Sequence, residues 1–203
     1  MTLFLACAAS YLVGSIPNGL IFGKLFWGVD LRRHGSHNIG ATNAWRTLGK
    51  GPGFLIFFLD FLKGVFGVYL GSLIASDPTA LVLGGIMAIV GHSCSLFLWF
   101  QGGKGVATGL GVIAMLMPKM TILIFLLWFL IVYFTGYVSL GSIVAAFAVP
   151  FFAWWGNEPG AYILFGIAAA IFVIYRHQAN IRRLLAGTER DRKSTRLNSS
   201  HGS

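Results

Sequence analysis

From residue 3 to residue 175 the chain is one apolar run after another, separated by short polar connections. A bilayer core about 30 Å thick accepts a helix of roughly 20 apolar residues, because the backbone there must satisfy its own hydrogen bonds. The chain is 56% hydrophobic and 10% charged, with a mean hydropathy of +0.77. Soluble domains carry about a quarter charged residues. The runs therefore predict an all-α, polytopic membrane protein, and the alternating segments of a membrane β-barrel are absent.

Seven transmembrane helices are expected, over residues 3–26, 53–75, 80–100, 106–117, 120–134, 139–155 and 161–175. The 106–117 segment is short for a span, and either a tilted helix or a re-entrant one fits it. The first segment has no charged leader and no A-x-A site, so it reads as a helix that stays in the membrane. With seven spans, Lys24, Arg32, Arg33, Arg46, Lys50, Lys104, Arg176, Arg182, Arg183 and Arg190 fall on one face and Lys119 on the other. The positive-inside rule makes the crowded face cytoplasmic, with the N-terminus outside and the C-terminus cytoplasmic.

Residues 1–190 are expected to form a single domain. The string "DRKSTRLNSSH" at 191–201 resembles the translation of a sequencing-adapter oligonucleotide, so residues 191–203 are expected to be a disordered, foreign tail. Cys7 and Cys94 lack CxxC spacing and read as buried bystanders.

Three polar motifs stand out. The first is "LRRHGSHNIGATNAWRTLGK" at 31–50. Gly35 and Gly40 permit backbone conformations closed to other residues, and Ser36, Asn38, Thr42 and Asn43 offer short polar side chains. Such a loop can turn N–H groups toward an anion, with Arg46 as a fork suited to phosphate. A polar turn whose basic flanks touch anionic lipid is the plainer alternative.

The second motif is "QGGKGVATG" at 101–109, where Gly102, Gly103 and Gly105 surround Lys104 just before an apolar helix. Glycines let a phosphate approach the backbone, Lys104 supplies a counter-charge, and the helix start presents N–H groups. It is not a Walker A loop, because the GxxxxGK[ST] spacing is absent. A tight helix-entry turn would look similar.

The third is "YRHQANIRRLL" at 175–185. On a continuous helix Arg176, His177, Asn180 and Arg183 share a face, and His177 could serve as donor, base or phosphate contact. Alone, this segment reads as a basic helix lying on anionic lipid. All three motifs nevertheless reach the same membrane face, as a site for phosphorylated substrates requires.

Within the apolar runs, Asp60 and Lys63 are spaced i, i+3 and are expected to pair, since either alone costs roughly 2.5–3.5 kcal/mol at mid-bilayer. His92, in "GHSCS", suits either a core hydrogen bond or support of a site. No His/Cys/Asp/Glu spacing suggests a metal, and no cofactor motif is present. No H-x-x-x-x-D acyltransferase pair occurs.

Taken together, "GSIP" (14–17), "GSHNIGATN" (35–43), "FFLDFLKG" (57–64), "GGKGVAT" (102–108), "YVSLGS" (137–142) and "YRHQANIRRLLAGTE" (175–189) resemble the bacterial acyl-phosphate:glycerol-3-phosphate acyltransferase family. The resemblance implies a seven-helix enzyme of the bacterial cytoplasmic membrane that makes lysophosphatidic acid and phosphate from acyl phosphate and glycerol 3-phosphate. It implies that Ser36, Asn38, Gly40, Thr42, Gly102 and Lys104 hold substrate phosphate, with Asn43 and Gly103 also among the substrate-binding residues. Arg46, Ser142, His177 and Asn180 would place glycerol 3-phosphate, with Lys104, His177 and Asn180 closest to the chemistry. The implied partners are the two substrates, membrane lipid and a soluble enzyme that makes acyl phosphate, with no nucleic acid.

The chain departs from the family pattern where His37 replaces a usual glycine and where Cys94 and Ser95 replace an aromatic–proline pair. An acyl phosphate is already activated, so positioning and charge stabilisation suffice. The hydroxyl proton would pass to His177 or, preferably, to substrate phosphate, because no carboxylate orients the histidine. A donor other than acyl phosphate, or a transporter or channel for a phosphorylated metabolite, are the alternatives.

Overall fold

Pro17 divides the first apolar run into two helices. Proline has no N–H to donate and clashes with the preceding turn, so α1 (Leu3–Ser15) ends before it and α2 (Asn18–Trp27) starts after it. Together they are long and apolar enough to cross a membrane. The structure, a computed structural model, describes residues 2–190, and the tail expected at 191–203 lies outside them.

Among the described residues every regular element is helical. After α2, the polar connection contains α3 (Ala41–Leu48) and leads into α4 (Lys50–Ser72). Next comes α5 (Pro78–Ser93), where Asp77 Oδ1 accepts from the N–H groups of Thr79 and Ala80 at 2.8 and 3.2 Å and Pro78 takes the first helical position. Both are ordinary helix-start chemistry. The 11-residue α6 (Val106–Leu116) closes the first of two compact units, which ends at Pro118.

In that unit α4 is central, packing on α1, α3, α5 and α6. Lipid tails offer no hydrophobic drive between helices, so close approach of small residues must hold them. Gly67 of α4 lies against Gly84 of α5, Gly64 of α4 against the Thr108 carbonyl of α6, and Gly111 of α6 against the Phe61 carbonyl of α4, with no room for a Cβ.

The second unit, from Lys119 on, contains α7 (Pro118–Thr135) after its first residue, α8 (Val138–Trp155), α9 (Gly160–Arg176) and α10 (Gln178–Leu185). Helices α8 and α9 pack along one another, with Gly166 seated on Pro150. Trp128 Nε1 of α7 donates to Ser142 Oγ of α8 at 3.3 Å. The chain bends by 63° between α9 and α10.

Among the described residues, five spans (α1 with α2, α4, α5, α7 and α8) are long and apolar enough to cross a bilayer by length and composition, six if α9 and α10 form one bent span. At 1.5 Å per residue α6 is roughly 16 Å long, about half the hydrocarbon thickness. The chain is an integral membrane protein with several apolar helices.

Candidate active site

The first polar loop is tied by one side chain. Asn43, buried at the start of α3, donates through Nδ2 to the carbonyls of Leu31, His34 and Asn38 at 3.1, 3.0 and 2.7 Å. Two hydrogens serve three acceptors, so one is shared. Its Oδ1 accepts from Ser36 N–H at 2.9 Å. Gly35, at φ +61°, passes so close to Asn43 Oδ1 that a Cβ there would collide with it.

This arrangement differs from a loop that turns its N–H groups toward an anion. Ser36 N–H points at Asn43, Gly40 N–H at Asn38 Oδ1 (2.8 Å), and His37 N–H at the His34 carbonyl (3.0 Å). The groups suited to a ligand are instead the hydroxyls of Ser36 and Thr42, both on exposed residues, the half-buried Arg46, and the N–H groups of Ala41 and Thr42 that open α3, since Asn43 N–H already donates to the Gly40 carbonyl. His37 stands at φ +57°, a conformation glycine adopts freely, and its Nδ1 donates to the Arg32 carbonyl at 3.0 Å.

Beside the loop, Asp30 holds Arg32 and Lys24, with Arg32 Nη2 at 2.7 Å and Lys24 Nζ at 3.2 Å. The hydrogen bonds from the Arg32 side chain, ahead of opposing desolvation, hold the Asp30 carboxyl well below the usual range.

In the second loop the glycine N–H groups also fix the loop's own shape. Gly102 N–H donates to the Ser93 carbonyl and Gly103 N–H to the His92 carbonyl, both at 3.0 Å. Gly105, at φ +79°, turns the chain into α6. Lys104 stands immediately before that helix start, half-buried. The structure thus places a cation beside the positive end of a helix dipole, an arrangement suited to an anion.

Behind both loops lies a buried polar cluster. Asp60 Oδ1 accepts from Asn18 Nδ2 at 3.0 Å and pairs with Lys63 Nζ at 2.9 Å, while His92 Nδ1 is 3.8 Å away. The expected i, i+3 pair is formed. Lys63 also donates to the Ile16 carbonyl at 2.9 Å, where α1 stops short of Pro17.

In the second unit the C-terminal motif closes on Glu189. Its Oε1 accepts from Ser139 Oγ at 2.7 Å and Asn180 Nδ2 at 2.6 Å, and its Oε2 from Arg183 Nε at 2.7 Å. Burial works against the Glu189 charge, but the bonds from Asn180, Ser139 and Arg183 outweigh it and hold the carboxyl below its ordinary value. His177, buried at the bend, donates from Nδ1 to the Val173 carbonyl at 2.8 Å. A backbone carbonyl therefore sets the orientation of this ring, and Nε2 carries the acceptor lone pair when the ring is neutral. Ser142 Oγ donates to the Val138 carbonyl at 2.9 Å.

The bend at His177 redistributes the expected basic face. Asn180 and Arg183 meet at Glu189, whereas Arg176 lines an outward groove of about 400 Å³ with Tyr175, Gln178, Ala179 and Arg182. Helical spacing cannot be counted across a break. Glu189 ends the string 175–189, but its nine-residue separation from Asn180 keeps their bond from being legible in sequence spacing. Among the described residues no three His, Cys, Asp or Glu side chains gather as a metal site.

An all-helical membrane protein with a lysine beside one glycine-entered helix start and an arginine on a second short helix is a candidate for handling phosphorylated substrates at the bilayer. The glycerol-3-phosphate acyltransferase family model matches residues 4–187. The glycerol-3-phosphate acyltransferase 2 of Moorella thermoacetica is 49% identical, over 91% of this chain and 95% of that protein. The Fusobacterium nucleatum glycerol-3-phosphate acyltransferase is 44% identical, over 93% of this chain and 97% of its own. A crystal structure of PlsY, an integral membrane glycerol 3-phosphate acyltransferase in its glycerol 3-phosphate form, superposes with a TM-score of 0.89 at 40% identity. It covers 94% of this chain and 96% of its own. The lysophosphatidic acid form of PlsY gives 0.87 at 39% identity, over 94% and 95%. The chain belongs to the glycerol-3-phosphate acyltransferase family, and nothing in these likenesses supports a transporter.

Proposed function

We propose that this protein transfers a fatty acyl group from acyl phosphate to glycerol 3-phosphate, giving 1-acyl-glycerol 3-phosphate and inorganic phosphate. The carrying observation is the start of α6, entered through Gly105 with Lys104 beside it, together with α3, which follows Gly40 and carries Arg46 in its last turn. Two phosphorylated substrates need two such anion holders.

In this reading the single domain 1–190 crosses a bacterial cytoplasmic membrane seven times, with the N-terminus outside and the site facing the cytoplasm. That basic face also suits contact with the soluble enzyme that supplies acyl phosphate. Ser36, Asn38, Gly40, Thr42, Asn43, Gly102 and Gly103 shape and line the phosphate-holding loops. Arg46, Ser142, His177 and Asn180 place glycerol 3-phosphate.

The C1 hydroxyl oxygen attacks the acyl carbonyl carbon. An ester C–O bond forms, the bond from that carbon to the phosphate oxygen breaks, and phosphate leaves with the electron pair. Lys104 stabilises the charge that develops as it leaves. The hydroxyl proton passes to a substrate phosphate oxygen, so no covalent acyl-enzyme is needed. Holding both substrates in register can supply about 7–11 kcal/mol of the barrier reduction.

The test is donor choice. Purified protein in vesicles receives glycerol 3-phosphate with palmitoyl phosphate or with palmitoyl-CoA. Lysophosphatidic acid from the first alone is the expected result. Product from the thioester alone overturns the donor, and no product from either overturns the activity.

A further inference from the structure

The cluster in the middle of α4 is buried apart from both polar loops, yet it is connected to both. Asp60 and Lys63 are 2% and 5% exposed, and ionised groups at that depth are costly enough to mark a functional demand. On one side Asn18 reaches Asp60 from the residue next to Gly19, whose backbone is pressed against the Ile39 carbonyl of the first loop. On the other side His92 Nδ1 lies 3.8 Å from Asp60 Oδ1, and a Cβ at Gly103 would collide with His92 Nε2. One imidazole therefore faces the carboxylate with one nitrogen and the second glycine loop with the other.

The backbone repeats the connection. The His92 carbonyl accepts Gly103 N–H at 3.0 Å, and the next carbonyl, Ser93, accepts Gly102 N–H. The turn of α4 that follows Asp60 packs against α6 itself, through Phe61 and Gly64. Asp60, His92 and the loop ahead of Lys104 thus form a continuous set of contacts. The Asp60 carboxylate is fixed from behind by Lys63, which is anchored on the Ile16 carbonyl.

We propose that His92 is a positioning residue for the 102–105 loop, held in place by the Asp60–Lys63 pair, and that this cluster sets the loop geometry on which phosphate binding depends. The kinetic part rests on the functional reading above, and the structural part does not. His92 touches no substrate in this account. At 3.8 Å the carboxylate acts on the imidazole through charge rather than through a hydrogen bond, and charge acts strongly where the dielectric is low.

The experiment compares three variants of the full chain in vesicles. His92→Asn keeps an N–H near the position of Nδ1, and His92→Phe keeps ring bulk without it. Asp60→Asn/Lys63→Met removes both charges together, so no lone buried ion remains. Hydrogen–deuterium exchange is read over residues 102–105, with an apolar segment of α4 as the internal control. Kinetics are read with glycerol 3-phosphate and palmitoyl phosphate.

Faster exchange confined to 102–105 in His92→Phe and in the double variant, with His92→Asn close to wild type, is the expected result. It should accompany a rise of about tenfold in KM for a phosphorylated substrate while kcat stays within about threefold. Unchanged exchange at 102–105 overturns the positioning role whatever the kinetics. So does equal loss across all three variants together with the α4 control, because that is the signature of packing alone. A wild-type protein inactive with these substrates contradicts the functional reading, while the exchange data still decide the role of His92.

Discussion

Asn180 Nδ2 donates to Glu189 Oε1 at 2.6 Å, and the same carboxyl is bonded by Ser139 and Arg183. The segment after α10 is thereby fastened to the start of α8. Because the folded Glu189 value is depressed below 4.5, this contribution is complete above that pH and is lost as pH falls through the folded value. Glu189→Gln should cost about 2 kcal/mol, as expected for losing a buried charged acceptor. Melting curves in detergent should show wild type losing stability below pH 4.5. The variant should start lower and show a flatter acid limb, and parallel limbs would contradict the assignment.

Asn43 governs the first loop by a different means. Asn43→Ala removes the donor that serves Leu31, His34 and Asn38 and the acceptor for Ser36. The Leu31 and His34 carbonyls keep their bonds from His34 and His37 N–H, so the loss falls on the part-buried Asn38 carbonyl and Ser36 N–H, at about 1 kcal/mol each. The expected outcome is a clear drop in melting temperature, with activity falling further than stability at a temperature where the variant stays folded. Activity that merely tracks the folded fraction would show that the loop's shape does not matter.

These two asparagines show what the sequence could and could not reveal. The apolar runs, the two glycine loops and the Asp60–Lys63 spacing are local patterns: the ion pair forms as expected, whereas the first run breaks at Pro17 and the 80–100 run ends as a helix at Ser93. Asn43 and Asn180 were recognisable as polar residues in polar motifs. Their partners lie up to 12 residues away and are chosen by the folded path of the loop. Glycines in a loop suggest N–H groups facing a ligand, but here Gly102 and Gly103 bond to α5 carbonyls, which depends on tertiary contact. The bend at His177 had no local breaker residue to announce it.

His37 offers a direct test of backbone strain. A non-glycine residue at φ +57° costs on the order of 1 kcal/mol, offset by its bond to the Arg32 carbonyl. His37→Gly is expected to keep activity within about twofold and melting within a few degrees. His37→Val, β-branched at a left-handed position, should lose more than about 1 kcal/mol. Equal stability of Val and Gly variants would remove strain from the account.

Lys104 is the residue whose charge the proposed chemistry needs. Lys104→Ala should lower kcat/KM by roughly 10²–10³-fold, the scale of one lost transition-state charge contact. Melting should stay near wild type, since the side chain is half-exposed. A loss below about threefold would place the charge stabilisation elsewhere.

The most direct measurement follows both products at once. The reconstituted protein is mixed with palmitoyl phosphate and glycerol 3-phosphate, and phosphorus NMR records lysophosphatidic acid and inorganic phosphate over time. Direct transfer predicts equal amounts of the two at every time point, and no phosphate release when glycerol 3-phosphate is withheld. Phosphate released in an early burst without the acceptor would contradict direct transfer, and the absence of lysophosphatidic acid in folded protein would contradict the proposed function itself.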